Sequence, residues 1–110
     1  MEELKGRKVH KIPNIEGYLI TEYGEIFSLK TQKFMIPRVN SKGYLDINLS
    51  IKGKKVKNGV LVSFTKKVKF YIHKLVAITF LGNSTLPIRF KDNNKSNCHK
   101  DNLEYKQGEE

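Results

Sequence analysis

The 110-residue chain has no tryptophan, one cysteine and three prolines. A lone thiol, Cys98, excludes an internal disulfide framework and any zinc cage built from cysteines, and it suits a reducing compartment. No long hydrophobic run is present. Stretches such as Leu75-Val76-Ala77-Ile78 fall far short of the roughly 20 residues that cross a bilayer, so no membrane partner is expected. The opening Met1-Glu2-Glu3-Leu4 is acidic and has no apolar centre, so no secretion signal is expected either, and the expected location is cytoplasmic. Ile51-Lys52-Gly53-Lys54-Lys55 lacks the spacing of a phosphate-cradling glycine loop. His10, His73 and His99 are not paired at a metal-binding spacing, and Cys98-His99 does not form a zinc motif. Neither a cofactor nor a metal is expected from these patterns. Cys98 lies close to a lysine but has no second catalytic partner, and reads as an ordinary thiol.

The most informative absence is of negative charge. Residues 47–91 contain no Asp or Glu, yet they hold Lys52, Lys54, Lys55, Lys57, Lys66, Lys67, Lys69, Lys74, Arg89 and Lys91. Those ten cations equal the whole net charge of +10, because the flanks carry 11 cations and 11 anions. A block of one sign attracts a polyanion, and phosphate backbones are the commonest one inside cells. An acidic protein surface is a second possible partner, and a solvated face that serves solubility is a third reading. Within residues 66–73, strand alternation places Val68, Phe70 and Ile72 on one face and Lys67, Lys69, Tyr71 and His73 on the other. Such a cationic face with a tyrosine suits phosphates and a stacked base; Tyr71 packed against neighbouring strands is the plainer alternative.

What is present is enough for a modest core: 38% hydrophobic residues, with six Phe and five Tyr. A chain of this length is the size of one domain, or of one domain with a short appendage. Residues 1–11 are charged and aperiodic and are expected to be a flexible arm. A hairpin is predicted over 18–28, turning at Tyr23-Gly24, where Gly24 supplies a positive φ. Further strands are predicted at 33–37, 44–49, 59–64 and 66–73, with polar turns at 40–43 and 52–55. Residues 73–80 carry apolar side chains at helical spacing and stop before Gly82. Pro87-Ile88-Arg89-Phe90 reads as a strand, 92–97 as an Asn-rich turn, and 101–105 as a short strand or turn. The expected class is α+β: small antiparallel hairpins first, then a mixed module.

Tyr71-Ile72-His73-Lys74-Leu75-Val76-Ala77-Ile78-Thr79-Phe80, followed by Ile88-Arg89-Phe90-Lys91-Asp92-Asn93-Asn94-Lys95-Ser96-Asn97 and Asn102-Leu103-Glu104-Tyr105, resembles the phage and intron-type HNH homing endonuclease family. Ile15-Glu16-Gly17-Tyr18, Tyr23-Gly24-Glu25-Ile26-Phe27-Ser28 and Lys42-Gly43-Tyr44 are similar to the modular DNA-binding motif that precedes such nucleases. The resemblance divides the chain into a modular β motif at 12–50, an inserted lysine-rich hairpin at 51–70, a degenerate HNH-like (ββα-metal) module at 71–106 and a tail at 107–110. It implies that His73, Asp92, Asn94, Asn97 and Asn102 are remnants of the HNH motif.

The same resemblance implies that catalysis is lost. Its strand-end pair, a metal-binding carboxylate or amide followed by a general-base histidine, falls on Arg89 and Phe90. A guanidinium repels a divalent ion, and a phenyl ring takes no proton. The family's last metal ligand falls past Glu110. No catalytic residue is therefore expected, and a site rebuilt from His73, Asp92 and His99 is the only substitute the residues offer. The expectation is a non-catalytic nucleic-acid binder, for DNA rather than RNA, with Arg89 neutralising the phosphate once held by the metal. Two alternatives stand beside it: a phage inhibitor or adaptor that docks on a host nucleic-acid-processing protein, and residual metal-dependent nicking. A phage-encoded chain would act in a bacterial cytoplasm.

Overall fold

Three antiparallel sheets account for most of the chain in a computed structural model that describes residues 3–4 and 7–106. The first sheet runs in chain order: β1 (Glu3–Leu4), β2 (Arg7–Ile12), β3 (Ile15–Thr21), β4 (Ile26–Ser28) and β5 (Lys33–Phe34). The second contains β6 (Arg38–Val39), β7 (Leu45–Lys57) and β8 (Val60–Tyr71). Helix α1 (Ile72–Val76) follows directly and relaxes into a π-helical turn at Ala77–Leu81. Strands β9 (Ile88–Phe90) and β10 (Leu103–Tyr105) pair to close the chain, with a 3-10 turn at Lys100–Asn102 before β10. The class is α+β, as expected, mostly strand with one short helix. The tail at 107–110 lies outside the described residues.

The hairpin at 18–28 and its glycine turn form as expected. Gly24 takes φ +87°, and a Cβ there would stand 2.9 Å from Ile72 Cγ2, so the turn both requires left-handed backbone and packs against α1. Thr21 Oγ1 closes the turn by accepting from the N–H groups of Tyr23 (3.2 Å) and Glu25 (3.3 Å). The helix expected at 73–80 and its stop at Gly82 are also present.

Four expectations are corrected. Residues 7–11 are not a flexible arm: Arg7 and Lys8 pair with β1, residues 9–11 pair with β3, and Val9 and Ile12 are buried. The charged residues between them hid a pair of core positions, each worth roughly 1.5–3 kcal/mol when fully buried. Nor is Lys52-Gly53-Lys54-Lys55 a turn. It lies inside β7, where Gly53 leaves room for the Phe64 ring of the opposing strand. The turn sits at Asn58-Gly59, with φ of 53° and 78°, the two left-handed residues of a tight hairpin loop. The two strands expected at 59–64 and 66–73 are one strand, and the hairpin runs unbroken from Leu45 to Tyr71 rather than starting at residue 51.

The core joins all three sheets to the helix. Ile12, Ile20 and Ile26 from the first sheet meet Ile47 and Leu49 from the second, Ile72, Leu75 and Val76 from α1, and Phe90 and Leu103 from the third. Beyond Ile51 the β7–β8 hairpin leaves this core as a two-stranded ribbon.

Candidate nucleic-acid interface

The register of β7 and β8 sorts their side chains onto two faces. One face begins at the core with Ile47, Leu49, Val68 and Phe70, and ends with Lys66, Lys55 and Lys57. The other is polar along most of its length. Its rungs are Asn48 with Lys69, Ser50 with Lys67, Lys52 with Thr65, and Lys54 with Ser63. Each rung holds one lysine and one small hydrogen-bonding side chain, and rungs recur about every 6.7 Å. Among the described residues no carboxylate pairs with these lysines. The one acid at the foot of this face, Asp46, is buried and held by Arg38 at 3.3 Å.

At its foot the polar face runs into a group of aromatic rings. Tyr71 lies 6.0 Å from Tyr44 and 5.7 Å from His73, and His73 lies 5.1 Å from Phe90, centroid to centroid. Three ammonium groups ring this group: Lys69 at 5.5 Å and Lys74 at 5.4 Å over Tyr71, and Lys95 at 4.8 Å over Tyr44. His73 is thus not on the strand's cationic face, as alternation predicts, because the chain turns helical at Ile72. Its ring is buried, its Nδ1 has no hydrogen-bond partner, and burial, followed by the Lys74 charge, pushes its pKa down to about 4. Tyr71 both packs against neighbouring rings and remains half-exposed beside two lysines, which combines the two readings of it.

The segment between β9 and β10 uses its polar groups inwardly. Asp92 Oδ1 accepts from Asn94 N (2.8 Å) and Asn102 Nδ2 (2.9 Å), and Asp92 Oδ2 accepts from Asn97 Nδ2 (3.0 Å). Those bonds hold the Asp92 carboxyl below the usual carboxylate range, Asn97 contributing most. Asn102 completes the knot: its Nδ2 also donates to Asn97 O (2.9 Å), and its Oδ1 accepts from Asp92 N (3.1 Å). Asn94 Oδ1 caps the backbone of Ser96 (3.1 Å). His99 Nδ1 accepts from Asp101 N (3.0 Å), with its ring edge-on to Tyr23. Cys98 is buried beneath, and burial pushes its thiol up to about 11, so it is an inert thiol rather than a nucleophile.

Between the open edge of β7 and the β2–β3 turn runs a groove of ≈ 1140 Å³, with Lys11, Lys52 and Lys54 on its walls and Tyr18 at its side. Tyr18 ties the ribbon's foot to β3, its hydroxyl accepting from Ser50 N at 2.9 Å.

Comparison with known proteins fits this architecture. A family model described as the NUMOD4 motif matches residues 10–50. An uncharacterized HNH endonuclease, L245, of Acanthamoeba polyphaga mimivirus is 34% identical over 96 residues, covering 86% of this chain. H-N-H endonuclease F-TflII of Escherichia phage T5 is 32% identical over 84% of the chain. The HNH homing endonuclease I-HmuI, whose solved structure concerns DNA binding and cleavage, superposes with a TM-score of 0.70 at 32% identity over 89% of the chain. These likenesses support an HNH-type homing endonuclease family for the chain. It spans 26% of the mimivirus protein, 44% of the phage T5 protein and 51% of the I-HmuI chain.

An HNH-type fold implies a divalent cation, and the residues present do not fit one. Arg89 lies beside the implied position, ion-paired with Glu104 across β9–β10. Phe90 is buried against His73 and Tyr44. Both Asp92 oxygens and the whole Asn102 carboxamide are consumed by the loop. His73, Asp92 and His99 do not converge, and among the described residues no three His, Cys, Asp or Glu side chains gather where they could hold a metal ion.

Strand alternation also corrects the part expected of Arg89. It faces away from Phe90 on β9 and is neutralised by Glu104, so it is not an unpaired cation awaiting a phosphate. Lys91 is exposed near Asp101, whose carboxyl is held below its usual range mainly by Lys100. The remaining lysines divide between the ribbon's faces: Lys52, Lys54, Lys67 and Lys69 on the polar one, Lys55, Lys57 and Lys66 on the other, with Lys74 exposed beside Tyr71. Sequence reasoning missed Lys11 and Asn48. Lys11 lies in a charge-balanced flank, and Asn48 acquires meaning only through its rung with Lys69.

Proposed function

We propose that this HNH-type chain binds nucleic acid without cutting it, gripping the phosphate backbone with the polar face of the β7–β8 ribbon. The observation that carries this reading is the row of rungs, each with one unpaired lysine and one Ser, Thr or Asn, leading into the lysine-edged ring cluster around Tyr71. Lysine supplies the charge and the short side chains supply directional bonds to phosphate oxygens. Duplex DNA is the preferred ligand, because the I-HmuI structure is described as one of DNA binding and cleavage. The absence of cutting follows from donors that do not suit a metal: a neutralised Arg89, a buried Phe90 and a closed Asp92–Asn102 knot.

Gel-shift titration of a DNA duplex across a salt series tests the binding half. Lys52, Lys54, Lys67, Lys69 and Lys74 predict a slope of log K against log salt of about −4 to −5. A slope near zero overturns the reading. Incubation of supercoiled plasmid with Mg²⁺ or Mn²⁺ tests the other half: intact plasmid is expected, and nicking that disappears in Asn102→Ala overturns it.

A further inference from the structure

The far end of the ribbon adds exposed hydrocarbon to its lysines. Val56 is 70% exposed, Leu61 63% and Val60 59%, gathered around the Asn58-Gly59 turn. Val56 and Leu61 form the terminal rung of the lysine-bearing face, and Val60 stands on the opposite face, paired with Lys57. Hydrocarbon is therefore exposed on both faces of the tip, with Lys57 beside it on one of them. A tip meant to read one surface would expose hydrocarbon on one face only; hydrocarbon on both faces suits insertion between two apolar surfaces.

The arm behind the tip is regular. Its register runs without a bulge from Asp46–Tyr71 to Lys57–Val60, and the Phe64 ring lies over Gly53 with the Lys55 ammonium 5.6 Å above it. From Ile51 to the turn it reaches roughly 20 Å from the core. Lysine rungs along the shaft require that the object reached be polyanionic, and stacked bases flanked by phosphates supply both requirements at once.

We infer that the β7–β8 arm bends duplex DNA, its lysine face tracking a backbone while Val56, Val60 and Leu61 wedge into a base-pair step from the minor-groove side. This rests on the proposed DNA binding and adds an activity to it. Unstacking a step costs energy that is least at flexible TA and CA/TG steps, so the wedge confers a preference at a position where no base edge is read. A lipid surface is the other environment that accepts an apolar tip with basic flanks, but it has no use for one Ser, Thr or Asn per rung.

The test uses an end-labelled duplex of about 40 base pairs with a central TA step carrying 2-aminopurine. It compares the wild type with the triple variant Val56→Thr, Val60→Thr, Leu61→Thr, which puts a strand-favouring β-branched residue at each position. The wild type is expected to shorten the end-to-end distance, with a bend of some tens of degrees, and to raise 2-aminopurine fluorescence. The variant is expected to keep the salt slope, lose affinity only several-fold, and leave the duplex straight and the probe stacked. Wild-type binding without bending overturns the wedge and leaves the binding proposal standing, whereas no binding overturns both. A variant that bends the duplex as the wild type does also overturns the wedge. So does a tip needed for sedimentation with anionic phosphatidylserine vesicles, or for self-association, but not for bending.

Discussion

The outer half of the β7–β8 ribbon and the loop between β9 and β10 are both polar, exposed and nearly free of core, yet they handle their polar groups in opposite ways. In the loop, Asp92, Asn94, Asn97 and Asn102 bond to one another and to their own backbone until little capacity is left for a ligand. In the ribbon, the inward-facing backbone groups pair with the opposite strand, and among the described residues the lysines and hydroxyls face outward with no ion-pair partner. A polar side chain that completes the fold is unavailable for recognition. The residues that most resemble an active site are therefore the ones committed to holding the chain together, and recognition falls to a segment whose fold does not depend on its side-chain polarity.

The sharpest way to break this comparison is to remove charge from the ribbon. Replacing Lys52, Lys54, Lys67 and Lys69 together with Gln is expected to lower DNA affinity about 10³-fold at 0.1 M salt. The melting temperature should hardly move, since exposed substitutions of this kind usually stay within about ±0.5 kcal/mol. A large loss of stability would mean that the lysines serve the fold after all.

Acid acts where the two regions meet. His73 packs between Tyr71 at the ribbon's foot and Phe90 at the loop's start. Its pKa is about 4 in the folded chain against 6.5 ordinarily, so below pH 6.5 the unfolded chain binds a proton that the folded one refuses. Stability should fall as pH drops from about 6.5 to 4, by roughly 3 kcal/mol, and then level off with respect to this group. Denaturant melts at several pH values read this directly, and His73→Phe should flatten that window. The Asp92 carboxyl, held low by Asn97, Asn94 and Asn102, loses its acceptors' charge only at still lower pH.

Asn102→Ala is expected to cost roughly 2 kcal/mol, by opening the knot and leaving Asp92 N–H and Asn97 C=O without their partner. The salt slope of DNA binding should not change. If the slope falls with stability, loop and ribbon are coupled and the contrast between them fails. The smallest effect is expected at the turn: Gly59→Ala places a side chain at φ +78° and should cost about 1 kcal/mol, measured by thermal melting.

Much of this was legible in the sequence wherever local rules apply. Gly24 marks a turn because only glycine is relaxed there, Gly82 ends a helix, and the Asn cluster after residue 92 organises a turn. The confinement of the positive charge to residues 47–91 pointed to the ribbon. Local rules failed where a distant partner decides. Gly53 between lysines looks like a turn until Phe64, paired across the strand, is seen to need the space, while Asn58-Gly59 carries the stronger turn signal. Arg89 looks like an unpaired cation until Glu104, 15 residues on, comes opposite in the β9–β10 register. His73 reads as a strand residue because the switch to helix at Ile72 depends on packing against Gly24 and the sheets.

The two-residue loop at Asn58-Gly59 also governs how the ribbon opens. Contacts between β7 and β8 are local in sequence, so the ribbon zips from its turn toward the core, and it unzips most easily at the end where nothing is packed beneath it. Amide hydrogens near Val56 and Val60 should therefore exchange with solvent far sooner than those near Ile47 and Phe70, in a graded series along the strands. Ligand engagement would slow exchange most at the tip, making the order of protection along one hairpin a direct record of how far it is held.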